Sequence, residues 1–299
     1  MKKRQLGSSD LHISEISLGG MSLSTDKHKA ATIIDMALDA GINYIDTADL
    51  YDFGTNEEII GQILGKRRQN IILATKVGNR WTADKNGWCW DASPNYIKEA
   101  VYASLKRLGT DYLDVYQLHG GTMEDQWDDI IEAFESLKKE GTIREYGISS
   151  IRPNVLHRFL PASSAKSVMM QYSLLDRRPE EWFDFIASTG ASIVTRGTVA
   201  KGLLTMKWQE RLQATQSYNS YTQEELHMAL TALTTTYDDL HALALAFNLK
   251  EPAIASTVIG ASSPQQLAQT LAAYEKVAAI TDFSTVNHAT KIEHYSEHR

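Results

Sequence analysis

Eight short apolar runs, separated by longer amphipathic stretches, recur from one end of this chain to the other. They are Glu15–Leu18, Asn43–Asp46, Ile71–Thr75, Tyr112–Leu118, Ile143–Ile148, Ser167–Met170, Ser192–Val194 and Ile254–Thr257. Each is rich in Ile, Val, Leu or Tyr, the composition of strands covered on both faces. The intervening stretches, such as Asn95–Lys106 and Asp125–Lys139, carry a helical period. Ser93-Pro94 reads as a helix start, and Gly109 and Gly141 as stops. Eight strand-helix alternations in 299 residues predict an α/β fold closed into a (β/α)8 TIM barrel rather than an open doubly wound sheet. Ahead of it, Lys2–Ile13 holds a Gly-Ser-Ser-Asp turn between short alternating segments, which predicts an N-terminal β-hairpin. With no linker or low-complexity segment, one domain over residues 1–299 is expected, with a C-terminal tail from about 280.

Composition bounds the partners. A net charge of −7 argues against nucleic acid, which needs a clustered basic face, and Lys2-Lys3-Arg4 is too brief to supply one. The lone Cys89 has no partner for an internal disulfide, so a reducing compartment is expected. No apolar leader follows the first Met, and no run approaches the roughly 18 apolar residues of a membrane span. These features predict a cytoplasmic protein without a membrane or nucleic-acid partner, monomeric or weakly self-associating.

Gly78–Ala92, Lys201–Tyr221 and the tail after Ile280 are long for connections between a strand and a helix. Active sites of such barrels gather on the face that carries these loops. Four ionisable residues stand at or just beyond strand ends on that face: Asp46, Tyr51, Lys76 and His119. As isolated polar rim residues they would carry no message, but together they fit carbonyl reduction. An ammonium beside a phenol favours the phenolate form, and a carboxylate on the lysine keeps it charged and oriented. The phenol can then exchange a proton with a carbonyl oxygen, which a neighbouring imidazole polarises through a hydrogen bond. The hydride is missing from this quartet and has to come from a cofactor.

Asp46–Tyr51, Lys76 and His119 are similar, in order and approximate spacing, to the Asp, Tyr, Lys, His tetrad of the aldo-keto reductases. Further similarity lies in Ser93–Tyr112, Gly147–Ser150, Gln171–Leu175, Lys201–Thr205 and Ile259–Pro264. The branch that includes the potassium-channel β subunits shares these features. The resemblance implies a barrel that binds NADP(H) without a Rossmann unit, and no Gly-x-Gly-x-x-Gly follows any strand here. By position it implies Gly20, Met21 and Asp46 near the nicotinamide, Ser149, Ser150 and Gln171 on its carboxamide, and Arg196 against the ring. Gly197, Thr198, Val199 and Lys201 would border the pyrophosphate. Gly260, Ser262, Gln266, Gln269 and Thr270 would meet the adenosine end. The chain departs from common family members at Ser150, where many carry Asn, and at Arg196, where many stack a tyrosine. It departs again at Gln266, where many place an arginine on the 2′-phosphate, and at Gln269-Thr270, where Glu-Asn is common.

The expected function is therefore NADPH-dependent reduction of an aldehyde or ketone. Trp81, Trp88 and Trp90, clustered in one long loop, are expected either to pack locally or to wall an apolar substrate site beside Tyr51 and His119. Two other readings stay open: a Schiff-base enzyme with Lys76 as nucleophile, and a cofactor-binding regulatory module with little turnover. His294-Tyr-Ser-Glu-His298 imitates a zinc-peptidase pattern. It sits at the frayed chain end without a third ligand, and no metal is expected.

Overall fold

Each of the eight expected runs forms a strand in the structure, a computed structural model that describes residues 1–299. The barrel strands are β1 (Ile16–Gly19), β2 (Tyr44–Asp46), β3 (Ile72–Val77), β4 (Leu113–Leu118), β5 (Ile143–Ser149), β6 (Ser167–Gln171), β7 (Ser192–Arg196) and β8 (Ile254–Gly260). All pair in parallel with their neighbours in sequence, and β8 returns to β1 to close the barrel. Several strands outlast the apolar runs: β3 continues to Val77, β7 to Arg196 and β8 to Gly260. In β3 and β7 the apolar pattern stops where the barrel interior gives way to its mouth, whereas the hydrogen-bond ladder does not; in β8 the polar pair Ser256-Thr257 interrupts a run that resumes at Val258.

The helix Pro94–Leu108 begins as the sequence predicts. The Ser93 hydroxyl accepts the N–H of Tyr96, proline opens the helix, and Gly109 ends it in the left-handed region at φ 62°. The next helix starts at Trp127, two residues later than expected. Asp125 is held outside it because its carboxylate accepts from the Thr122 N–H and the Trp90 ring N–H. Of the long loops, Gly78–Ala92 folds into a hairpin (Asn79–Trp81 with Trp88–Trp90). Residues 201–221 contain a short helix, Trp208–Gln213, and the turn of a second hairpin, Ser217–Tyr218 with Tyr221–Thr222. The tail carries a helix, Ser284–Ala289. No helix is long and apolar enough to cross a membrane.

Two cores hold the fold. A large one fills the space between strands and helices, and a smaller one fills the barrel itself. The predicted N-terminal hairpin (Lys3–Gln5 with His12–Ser14) stoppers the barrel floor with Leu6, Leu11 and Ile13, packed in the same cluster as Tyr44, Ala74, Val115, Met169 and Val194. Each such buried side chain stabilises the fold by about 1.5–3 kcal/mol. The β5–β6 seam closes because position 147 is glycine: a Cβ there would lie 2.1 Å from the Ser167 carbonyl oxygen.

Side chains on one face of a strand recur every second residue. The inward series therefore runs Tyr44 to Asp46, Ala74 to Lys76, Val115 to Gln117 and His119, Met169 to Gln171, and Val194 to Arg196. Apolar packing below turns into polar and charged groups at the mouth.

Candidate functional site

Lys76 stands at the centre of that mouth, with its side chain only 1% exposed. Its ammonium donates to Asp46 Oδ2 at 2.5 Å, to the Thr47 carbonyl at 2.8 Å and to Tyr51 Oη at 3.4 Å. Burial alone would lower the Lys76 pKa, but the carboxylate of Asp46 and the nearby Tyr51 outweigh it, and the net direction is upward. The lysine is thus a fixed cation. His119 presents its ring edge-on to Tyr51, with centroids 6.2 Å apart. Thus the four residues singled out in the sequence come together.

Gln117 was not singled out, yet its amide donates to Asp46 Oδ1 at 3.2 Å and it is fully buried. Its position two residues before His119 on one strand face was the available signal. The loop that delivers Tyr51 is strained: Asp52 and Phe53 take φ of 47° and 51°, a conformation that costs L-residues roughly 1–2 kcal/mol each.

Burial, then the charges of Lys76 and Arg196, push the His119 pKa down to about 3. A neutral imidazole still has one N–H to donate, and its Nδ1 has no partner in the protein. We predict no histidine limb in the kcat/KM profile between about pH 5 and 8. A limb in that range that disappears in His119→Gln would contradict this. The folded state binds this proton less tightly than the unfolded chain does. The stability linked to His119 is therefore complete above about pH 6.5 and falls as the pH drops toward 3.

Asp46 and Tyr51 open into a cavity of about 620 Å³ that extends past Met21, Gln171, Arg196, Gly197–Val199, Lys201 and Gly260. Its lining fits an anionic dinucleotide. Gly197, Ala200, Lys201 and Gly202 all have positive φ, and the Thr198 and Val199 N–H groups donate to no protein acceptor. Such unpartnered amides form an anion cradle. Arg196 and Lys201 add positive charge, and the only protein acceptor of the Arg196 guanidinium is Gln171 Oε1, at 3.0 Å. Gln171 is itself held by Asp176 Oδ2 at 2.8 Å. Ser217, Tyr218 and Asn219 also line the cavity; they lie in the long loop 201–221 expected to flank the site, although the two-residue strands of its hairpin were not read from the sequence.

Other expected contacts fall outside this lining. Gly20 is buried against Asn56, Ser149 is half-buried at the end of β5, and the buried Ser150 hydroxyl accepts the Arg152 N–H. At the expected adenosine end, the Ser262 N–H and hydroxyl both donate to Gln266 Oε1, so of this pair only the Gln266 amide N–H groups remain as donors. Gln269 is exposed, but Thr270 is buried with its hydroxyl on the Gln266 carbonyl.

Of the two readings of the three tryptophans, local packing describes them in this structure, where none lines the cavity. Trp81 meets Phe53 edge-on at 6.3 Å and lies under the Arg107 guanidinium, bracing the strained Tyr51 loop from outside. Trp90 covers Gly78 and Gly120, whereas Trp88 is 56% exposed. At the chain end, His294 Nδ1 faces Glu181 at 3.3 Å.

The chain matches the aldo/keto reductase family over residues 15–291. It is 51% identical to the uncharacterized oxidoreductase YqkF of Bacillus subtilis over the whole of both chains. It is 30% identical to an NADH-specific methylglyoxal reductase of Escherichia coli, covering 91% of this chain and 93% of that one. The holo form of aldo-keto reductase AKR11C1 from Bacillus halodurans superposes with a TM-score of 0.94 at 51% identity, covering 100% of this chain and 99% of the other. The barrel, its charged mouth and these likenesses agree: this chain belongs to the aldo/keto reductase family of nicotinamide-dependent oxidoreductases.

Proposed function

We propose that this protein, as one barrel domain over residues 1–299, reduces an aldehyde or ketone to the alcohol with NADPH. The observation that carries the reading is the Lys76 ammonium, bound at once to Asp46 and Tyr51 on the floor of a cavity with an anion-accepting rim. The bound cofactor supplies the hydride. Tyr51 gives its proton to the carbonyl oxygen, and takes it back in the reverse direction. Neutral His119 donates an N–H to the same oxygen, fixing its direction. Lys76 stabilises the phenolate left behind, and Asp46 with Gln117 keeps the lysine in place.

The Schiff-base alternative requires a neutral lysine with a lone pair to offer. Lys76 has all three N–H groups engaged, no solvent access and a raised pKa. We predict that borohydride with a carbonyl substrate yields no Lys76 adduct by mass spectrometry. A regulatory module with little turnover is the remaining alternative, and an assay of turnover decides it.

NADPH over NADH is supported by Lys201 at the cavity rim and by the helix Pro264–Lys276, whose N-terminus bears the Gln266 amide. Without an arginine there, the preference should be moderate, on the order of tenfold to a hundredfold in kcat/KM, or ~1.4–2.7 kcal/mol. Gln266→Arg should strengthen NADPH binding and leave NADH nearly untouched. Steady-state kinetics with both cofactors test this, and the NADH-specific relative makes the comparison informative. Equal or better use of NADH by the wild type would overturn the assignment.

A further inference from the structure

The Ser217–Thr222 hairpin walls the cavity through Ser217, Tyr218 and Asn219, but its two-residue strands cannot hold it there alone. Tyr218 and Tyr221 bury their rings in the large core, and the Asn219 side-chain amide, at a residue with φ 50°, donates to the Leu175 carbonyl at 3.1 Å. Further anchors come from a single residue of the C-terminal tail. The Lys291 backbone N–H donates to Tyr221 Oη at 2.5 Å. Its ammonium donates to the Ser220 carbonyl in the turn at 3.0 Å and to Glu225 Oε2 at 2.8 Å, and lies 4.8 Å from the centre of the Tyr221 ring. Glu225 is also the capping-box partner of Thr222, the last hairpin residue.

The tail is fixed just before this point. Val286 is fully buried, and Arg177 donates to Asn287 and Thr290. Just after it, the buried Tyr295 ring lies 5.0 Å from the Arg178 guanidinium. Arg178 grips both oxygens of Asp176, which in turn holds Gln171 on the other side of the cavity. The tail therefore contacts the hairpin directly and connects to Gln171 through Arg178 and Asp176, without contributing a residue to the cavity lining.

We propose that Lys291 is a positioning residue: it pins the 217–222 hairpin as a wall of the cofactor cavity and so sets how long the cofactor stays bound. This rests on the reading of the cavity as the cofactor site. Removing a charge-assisted contact at the turn loosens the wall, and loosening acts mainly on dissociation.

The test is cofactor release, followed by NADPH fluorescence in stopped flow, with hydrogen exchange of residues 217–222 measured without cofactor. In Lys291→Met we expect release about tenfold faster with little change in association, and faster exchange confined to the hairpin. Lys291→Arg, which keeps charge and donors, should stay near wild type. Tyr221→Phe, which removes only the acceptor of the Lys291 N–H, should shift release in the same direction by less. Wild-type release from Lys291→Met, or faster exchange across the whole chain rather than at the hairpin, would overturn the proposal. A wild type that binds no nicotinamide cofactor would instead remove the reading on which it rests.

Discussion

Tyr51→Phe is expected to lower the single-turnover rate of carbonyl reduction by ~10² or more, the scale of losing a positioned proton donor. The cofactor dissociation constant should not change. The phenol reaches Lys76 Nζ at 3.4 Å and faces His119, so its hydroxyl is the group placed to exchange a proton at the cavity floor. Phenylalanine keeps the ring, its edge contact with the histidine and its cover over the lysine, and deletes only that hydroxyl. Single-turnover conditions matter because cofactor release often limits steady-state turnover. A variant that keeps more than about a third of the wild-type rate would remove Tyr51 from the reaction.

Lys76→Met should lose both activity and stability, and the two losses can be separated. Methionine fills much of the space but strands Asp46, which is 4% exposed, without its cation. Breaking a buried pair on one side costs about 3–5 kcal/mol, so urea unfolding should show a loss of that size. Adding Asp46→Asn removes the stranded charge. The double variant should recover much of the stability and none of the activity. The raised Lys76 value carries a sign as well: the stability linked to its protonation is fully present below the ordinary lysine range and is lost as the pH rises through the elevated value, whereas burial raises the Asp46 pKa, so the pair is also lost when acid protonates that carboxylate. A single variant as stable as wild type, or a double variant no more stable than the single, would contradict the picture of a buried, mutually dependent pair.

The barrel was legible because its physics is periodic. Strands covered on both faces read as short apolar runs; the ends of β3 and β7 were misjudged where polar mouth residues continued the ladder, and β8 runs on through Val258 and Ile259 beyond the polar Thr257. The tetrad was legible because reactive side chains follow strand ends, and an inward face repeats every second residue. Applying that repeat backward from His119 leads to Gln117. What stayed hidden depends on contacts between distant segments. Trp81 sits in a loop that could have faced the cavity, but hairpin pairing turns it onto Phe53 and Arg107. Thr270 follows Gln269 in the sequence, yet helix geometry buries one and exposes the other. Lys291 lies 70 residues from Tyr221, and nothing local announces that pairing.

Transfer of label is the most direct test of the central claim. Reduced cofactor carrying deuterium at the hydride position of the nicotinamide ring is incubated with the protein and a panel of aldehydes and ketones, and the products are analysed by mass spectrometry and NMR. The account predicts an alcohol with one deuterium on the carbinol carbon, formed in equal amount to the cofactor oxidised, and almost none with Tyr51→Phe. Tight cofactor binding with no labelled alcohol from any carbonyl in the panel would contradict it.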